Sequence, residues 1–404
     1  TVRYARNLGL DHLGMTGKFH KTWAGFGEYK NAAALEYECF SALAEGSKCS
    51  IGDQLHPVGE LTPATYQLIG DVYAQVEAKE PWCTGATAVT ELAIFNPEAI
   101  GVHDGRVDTS SGGAMRMLLE AHYQFDVVDE QMDWSRYRVL ILPDKIRLDE
   151  GLLGKLRQYL AAGGKLVASQ HSGMARDRDE FVLEELGVRY LAEAQYSPDF
   201  VAPGPQVAEG ILSSEHAMYD RGVEVEPLPG AEVLADVWHP YFNRTYAHFC
   251  SHRHTPAEKK SQFPAAVATE NAVYFAHPLF ASFMRHGVRT YKLLFLNALK
   301  RLLPEKLLVS NAPTTARITL LRQESPARSI VHVLHYIPEQ RYRDIQTIEE
   351  TIPLHDLTLS VKLESKPGRA YLAPGGEDLP LEWTDGRAKV TVPRVDGHAM
   401  VVFE

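Results

Sequence analysis

The chain opens with alternating short apolar runs and amphipathic stretches. Leu8 to Thr16 (L-G-L-D-H-L-G-M-T) is a short apolar run that leads into G-K-F-H-K-T-W-A-G-F-G. From Asn31 to Glu45, Leu35, Cys39 and Leu43 recur four residues apart, which is one face of a helix, and Gly46 ends it. Lys48 to Gly52 reads as a second strand running into Asp53, Gln54 and His56. Thr62 as N-cap and Pro63 at the first helical position open another helix. Its expected buried stripe is Tyr66, Ile69, Val72, Tyr73 and Val76. These are two strand–loop–helix units, each with polar residues just past the strand. In a β/α barrel the active site lies at that end. Lys18, His20, Trp23, Asp53, Gln54 and His56 are therefore candidates for one site. Two units of an open sheet with ordinary polar loops satisfy the same pattern, and two units cannot close an eight-stranded barrel.

From Glu91 onward the strands become continuously apolar. Glu91–Phe95, Phe125–Asp129, Arg138–Pro143 and Lys165–Ser169 alternate with helical stretches. One helix carries Met117, Leu118 and Ala121 after a Gly-rich loop, Ser110-Ser111-Gly112-Gly113; another spans Asp149–Ala162. Such alternation predicts a doubly wound parallel sheet. The loop Q-H-S-G-M after Lys165–Ser169 lacks the G-x-S-x-G of a nucleophile elbow. Ser172 next to His171 is a poor catalytic pair, because sequence neighbours seldom face each other. Ala265–Val267 and Ala272–Phe275 read as late strands, and Thr290–Leu303 as a helix stopped by Pro304.

Between these elements lies Trp238 to Pro256, W-H-P-Y-F-N-R-T-Y-A-H-F-C-S-H-R-H-T-P. No helical or strand period accounts for it, and it reads as an excursion from the domain rather than part of its sheet. Tyr241, Asn243, Arg244, His248, His252 and His254 offer aromatic faces, an amide, a cation and imidazoles, a set suited to a polar ring-shaped ligand or to an interface. A buried aromatic turn with satisfied histidines is the plainer alternative. His248, Cys250, His252 and His254 alternate, but such positions stand about 7 Å apart along a strand, too wide for one ion. No metal site and no cofactor are expected.

After residue 311 the runs Ala316–Leu321, Ser329–Tyr336, Leu357–Leu363, Arg369–Leu372, Ala388–Val392 and His398–Phe403 alternate in and out at turn-rich spacing. They predict a small antiparallel β-sandwich, structural or weakly carbohydrate-binding, with His332 and His335 packed inside.

The 404 residues suffice for two or three domains, and 45% apolar with 23% charged residues is ordinary for a globular chain. A net charge of −11 without a basic tract disfavours nucleic acid or an anionic membrane as partner. No apolar run approaches the roughly 20 residues of a membrane helix. Cys39, Cys49, Cys83 and Cys250 form no C-x-x-C pair and read as reduced thiols of a cytoplasmic protein. The start at Thr1, at once inside structured sequence, reads as a fragment or a trimmed beginning.

Three segments carry a family resemblance: S-R-Y-R-V-L-I-L-P-D (135–144), L-R-Q-Y-L-A-A-G-G-K-L-V-A-S (156–169) and V-Y-F-A-H-P-L-F (273–280). They resemble the β-galactosidase trimerisation domain, an α/β domain of flavodoxin-like, class I amidotransferase-like type without the nucleophilic cysteine. M-T-G-K-F-H-K-T-W-A-G-F-G (15–27), A-L-E-Y-E-C (34–39), C-S-I-G-D-Q-L-H-P (49–57) and F-C-S-H-R-H-T-P (249–256) resemble the α-L-fucosidases of glycoside hydrolase family 151. The resemblance implies the end of a (β/α)8 barrel over 1–85, a trimerisation-like domain over 91–304 and a β-sandwich over 312–404. Barrel strands one to six would then lie upstream of Thr1.

The implied function is hydrolysis of a terminal glycosidic bond, as in an α-L-fucosidase, on a glycoside or oligosaccharide substrate. Self-association as a dimer or trimer would run through the α/β domain. Such hydrolysis uses two carboxyl groups, about 5 to 5.5 Å apart for retention and wider for inversion. Asp53 is the candidate carboxylate, Lys18, His20, Gln54 and His56 would hold sugar hydroxyls, and Trp23 would stack on a ring. Glu36 and Glu38, inside the predicted helix, are weaker carboxylates. A non-catalytic oligomerisation or carbohydrate-binding module is the alternative. In a combined reading, the Trp238–Pro256 stretch completes a neighbouring subunit's sugar site.

Overall fold

The structure, a computed structural model, describes residues 1–102, 105, 108–343 and 345–404. The chain divides into two compact units: 1–90 with 119–124 and 306–404, and 91–118 with 125–305.

In the first unit the strands Leu13–Gly17 and Lys48–Gly52 pair in parallel, Leu13 opposite Lys48 and Gly17 opposite Gly52. The helix Ala32–Ala44 joins them. Asn31 caps it, its side-chain oxygen accepting the Ala34 N–H at 2.9 Å, which satisfies one of the free first-turn amides. The helix Pro63–Cys83 follows Thr62 as expected. Its buried side chains are Thr65, Ile69, Val72, Val76 and Lys79, and Val72 and Val76 pack with Leu35, Cys39, Phe40 and Leu43. Tyr66 is 45% exposed rather than buried. The stripe that faces the neighbour runs through Thr65 at i, i+4, i+7 and i+11, which leaves Tyr66 a full 100° round the helix. Leu13 and Met15 on the first strand stay exposed, at 54% and 65%.

The sandwich is present as two antiparallel sheets. One orders Leu308–Ser310, Leu354–Lys362, Arg387–Val395 and Glu382–Thr384; the other runs Glu377–Asp378, Ala370–Ala373, His398–Phe403, Ala327–Leu334, Arg317–Glu324 and Thr87–Ala88. Inward residues such as Leu320, Val331, Val333, Leu359, Val390 and Val401 fill the space between them, the alternation expected of a two-sided sheet. His332 and His335 are indeed packed, at 0% and 3% exposed.

The second unit is a nine-stranded mixed sheet. Its parallel part runs Phe125–Val128, Leu92–Phe95, Val139–Leu142, Lys165–Ser169 and Ala272–Phe275. The four-residue strands of this part are buried at every position, as strands covered on both faces must be. Ala257–Ala268, Glu232–Pro240, Asp199–Pro203 and His216–Met218 continue the sheet in antiparallel fashion, beyond the doubly wound sheet that the sequence predicts. Two expectations are corrected here. Ser110–Gly113 is not a loop but the first turn of the helix Thr109–Glu120. Asp108 caps it by accepting the N–H groups of Ser110 and Ser111 at 2.9 and 3.0 Å, and Gly113 is needed because a Cβ there would lie 1.9 Å from the Phe280 carbonyl oxygen. Nor is Trp238–Pro256 outside the sheet. Trp238, His239 and Pro240 pair with Lys260, Lys259 and Ala257, so only 241–256 form the connection at the tip of a long hairpin.

Candidate functional site

The two parallel strands end in Gly17 and Gly52, and the residues after each converge. Lys18 is 3% exposed. Its Nζ lies 4.0 Å from Asp53 Oδ1, 4.4 Å from the Tyr29 ring centre and 4.9 Å from that of Phe19. At 4.0 Å the ion pair is longer than a hydrogen bond, a separation that one bridging hydroxyl can span by bonding both groups. The backbone fixes this arrangement: Lys18 N–H donates to Gly52 O at 3.1 Å, and Lys30 N–H donates to Lys18 O at 2.7 Å.

Trp23 lies across both strand ends. A Cβ on Gly17 would stand 2.9 Å from its Cζ3, and one on Gly52 would stand 2.5 Å from its Cη2. Phe19 meets the indole edge-on at 5.3 Å. Trp23 nonetheless keeps 62% of its surface exposed, so a flat aromatic face is offered beside the ammonium and the carboxylate. Both amide atoms of Gln54 are buried without a partner among the described residues. An orphaned buried polar atom costs about 1–3 kcal/mol unless something bonds it. His56 is exposed and packs on Phe26 at 5.4 Å; His20 is exposed.

The two helix glutamates are engaged elsewhere. Glu38 accepts from Thr16 Oγ1 at 2.5 Å and from Lys30 Nζ at 2.7 Å. Glu36 accepts from Gln75 at 2.7 Å and from the Tyr336 hydroxyl at 3.3 Å. Tyr29, whose ring covers Lys18, was not foreseen. It sits in an unpatterned polar loop, where no period marks it.

In the second unit the 241–256 connection is held by its own contacts. The Asn243 side chain accepts the Ser197 N–H at 3.0 Å and donates to Gln195 O at 2.9 Å. Arg244 donates to Cys250 O at 3.1 Å and lies 5.1 Å from the Phe249 ring centre. Asn243 and Arg244 therefore brace the loop. Tyr241, Tyr246 and Phe249 are exposed at 56%, 104% and 67%, and His248 and His252 are exposed too, so the buried aromatic turn does not form. His254 is half-buried against Phe200 at 5.7 Å, its Nδ1 without a partner among the described residues.

At the end of Lys165–Ser169 the chain makes a strained turn, with Gln170 at φ 47°. A nucleophile would stand there in a hydrolase elbow; glutamine cannot serve. Ser172 is fully buried and its Oγ accepts the Ile146 N–H at 3.0 Å. His171 pairs instead with Glu193 at 2.7 Å.

The sequence from 115 to 194 matches the β-galactosidase trimerisation domain. With the mixed α/β architecture, this marks a glycoside-hydrolase-like protein. The chain is similar over its whole length to α-L-fucosidase isoenzyme 2 from Paenibacillus thiaminolyticus, with 38% identity and a TM-score of 0.95, and spans 62% of that chain. It also shares its fold with the β-galactosidases from Bacillus circulans sp. alkalophilus (15% identity, TM-score 0.64, 99% of this chain and 56% of that one) and Rahnella sp. R3 (15%, 0.65, 99% and 56%). Among the described residues no helix is long and apolar enough to cross a membrane.

Proposed function

We propose that the chain belongs to an enzyme that cleaves a terminal α-L-fucoside and that it holds the sugar at the ends of Leu13–Gly17 and Lys48–Gly52. The observation that carries this reading is the Lys18–Asp53 pair, nearly buried, 4.0 Å apart and flanked by the open face of Trp23. A buried ammonium and carboxylate can grip adjacent hydroxyls, and an indole face receives the apolar side of a pyranose. Asp53 then serves as a hydroxyl-binding carboxylate, and the catalytic pair comes from other strands of the same barrel. Leu13 and Met15 support that barrel reading, since two parallel strands with bare apolar side chains need further strands beside them.

The aromatic tip 241–256 is, in the same proposal, a contact with another copy, reaching a neighbouring sugar site through Tyr246, His248 and His252. An aryl α-L-fucoside assayed with this chain and with its complete reading frame tests the whole. Turnover by the longer protein, lost with Lys18→Met, supports the reading. Saccharide binding without turnover in either favours the module alternative.

A further inference from the structure

A second concavity of about 450 Å³ lies in the first unit, between the loop after Leu13–Gly17, the start of the helix Ala32–Ala44 and the hairpin formed by Glu339–Tyr342 and Ile345–Thr347. Its walls include His20, Tyr29, Tyr37, Arg341 and Gln346. That volume falls in the range of small-ligand sites, roughly 300–1,000 Å³. The cations at its edge are already neutralised. Lys30 is bound to Glu38 at 2.7 Å, and Arg341 to Glu339 at 2.8 Å and Glu349 at 2.5 Å. The uncharged lining includes the two phenol rings, the Asn31 and Gln346 amides and the His20 imidazole beside Pro338 and Ile348, a set that favours a neutral polyhydroxylated ligand over an anion.

Tyr29 ties this cleft to the strand-end site. Its ring lines the cleft and also lies 4.4 Å from Lys18 Nζ. The same aromatic ring thus borders both. We infer that the cleft is the leaving-group subsite: it binds the neutral sugar residue to which the terminal sugar is attached. This rests on the strand-end reading above and adds specificity for an unbranched, uncharged acceptor. The two strands Glu339–Tyr342 and Ile345–Thr347 supply that specificity, although they form a small sheet of their own, apart from the strands that hold the terminal sugar.

Titration calorimetry of the chain with L-fucose, lactose and 3′-sialyllactose tests the assignment, with Gln346→Ala and Arg341→Ala as variants on the exposed hairpin and Trp23→Ala on the other side. The expected result is a loss of lactose affinity of 5-fold or more in the hairpin variants with L-fucose binding unchanged, and the reverse pattern in Trp23→Ala. Equal lactose binding by the wild type and both hairpin variants overturns the subsite. So does tighter binding of 3′-sialyllactose than of lactose. Loss of L-fucose binding in the wild type, with lactose retained, would instead sink the strand-end reading, so the two failures are distinguishable. Unchanged thermal midpoints establish that the variants are folded.

Discussion

Trp23 lies so close over Gly52 that a Cβ on the glycine would stand 2.5 Å from the indole Cη2. The indole is 62% exposed, so it can swing away rather than force the backbone apart. Gly52→Ala should therefore cost little stability, under about 1 kcal/mol, because the displaced group is a mobile ring. The same change should cut saccharide affinity about tenfold, because the ring leaves its place beside Lys18. Chemical denaturation and calorimetry on one sample separate the two effects.

Gly113 makes the opposite case. Its Cβ would meet the Phe280 carbonyl oxygen at 1.9 Å, and backbone in a packed core cannot give way as a surface ring can. Gly113→Ala should lose about 3–5 kcal/mol or fail to fold. A urea midpoint unchanged from wild type would show that the helices Thr109–Glu120 and Leu279–His286 do not approach as described.

Asp53→Asn keeps the shape and removes the charge beside Lys18. On the proposed hydroxyl-binding role, Asp53→Asn should raise KM for an aryl α-L-fucoside about 10-fold while kcat changes less. A kcat reduced a thousandfold with KM unchanged would make Asp53 a catalytic carboxylate instead.

Acid should unfold the first unit early. The imidazole of His332 is fully buried and lies 3.1 Å from that of the half-buried His398. His332 Nε2 and His398 Nδ1 have no partner among the described residues. Burial first, then the Lys79 ammonium, pushes His332 down to about 3. Burial first, then Lys306, pushes His122 down to about 4. An unfolded histidine titrates near 6.5, so above that pH neither state is charged. Below it the unfolded chain takes up protons that the folded chain refuses, and stability falls as pH falls. At pH 5 His332 alone should cost about 2 kcal/mol. Urea midpoints at pH 7 and 5 measure this, and His332→Leu should flatten the difference.

Self-association should depend on the hairpin tip. Tyr246 and Phe249 are exposed at 104% and 67% on a loop braced by Asn243 and Arg244. Replacing both by serine should weaken assembly about tenfold or more in sedimentation, with the thermal midpoint little moved, because both side chains lie mostly in solvent.

The helices were legible because their apolar spacing is uninterrupted, as in Leu35, Cys39 and Leu43 or Ile69, Val72 and Val76. The buried parallel strands were legible because they are wholly apolar. The antiparallel extension was not. Apart from Ala265–Val267, its strands carry no regular period: Glu232–Pro240 shifts register repeatedly against its neighbour. That Lys18 and Asp53 lie close together was legible from their positions, since polar residues after parallel strands share one end of the sheet. Tyr29 and the Arg341 hairpin were not, because they reach the site across the fold from unpatterned segments. The reading of Trp238–Pro256 failed at its ends, where W-H-P continues a strand whose first residues, E-V-L-A-D, alternate too weakly to announce it.

The edge strand Thr87–Ala88 pairs with Arg322 and Leu321, and the Thr87 hydroxyl donates to the Arg322 carbonyl across 235 positions. Gln323 donates to Pro81 O and Thr84 O at 3.2 and 2.6 Å, and Asn31 to Glu349 O at 2.8 Å. On a ribosome adding about 5–20 residues per second, the early segment waits roughly 10 to 50 s for these partners. Through that interval the intervening sheet unit can close by itself while the first 90 residues hold open apolar surface. The return of the last hundred residues to the first ninety is thus a long-range closure made late in synthesis.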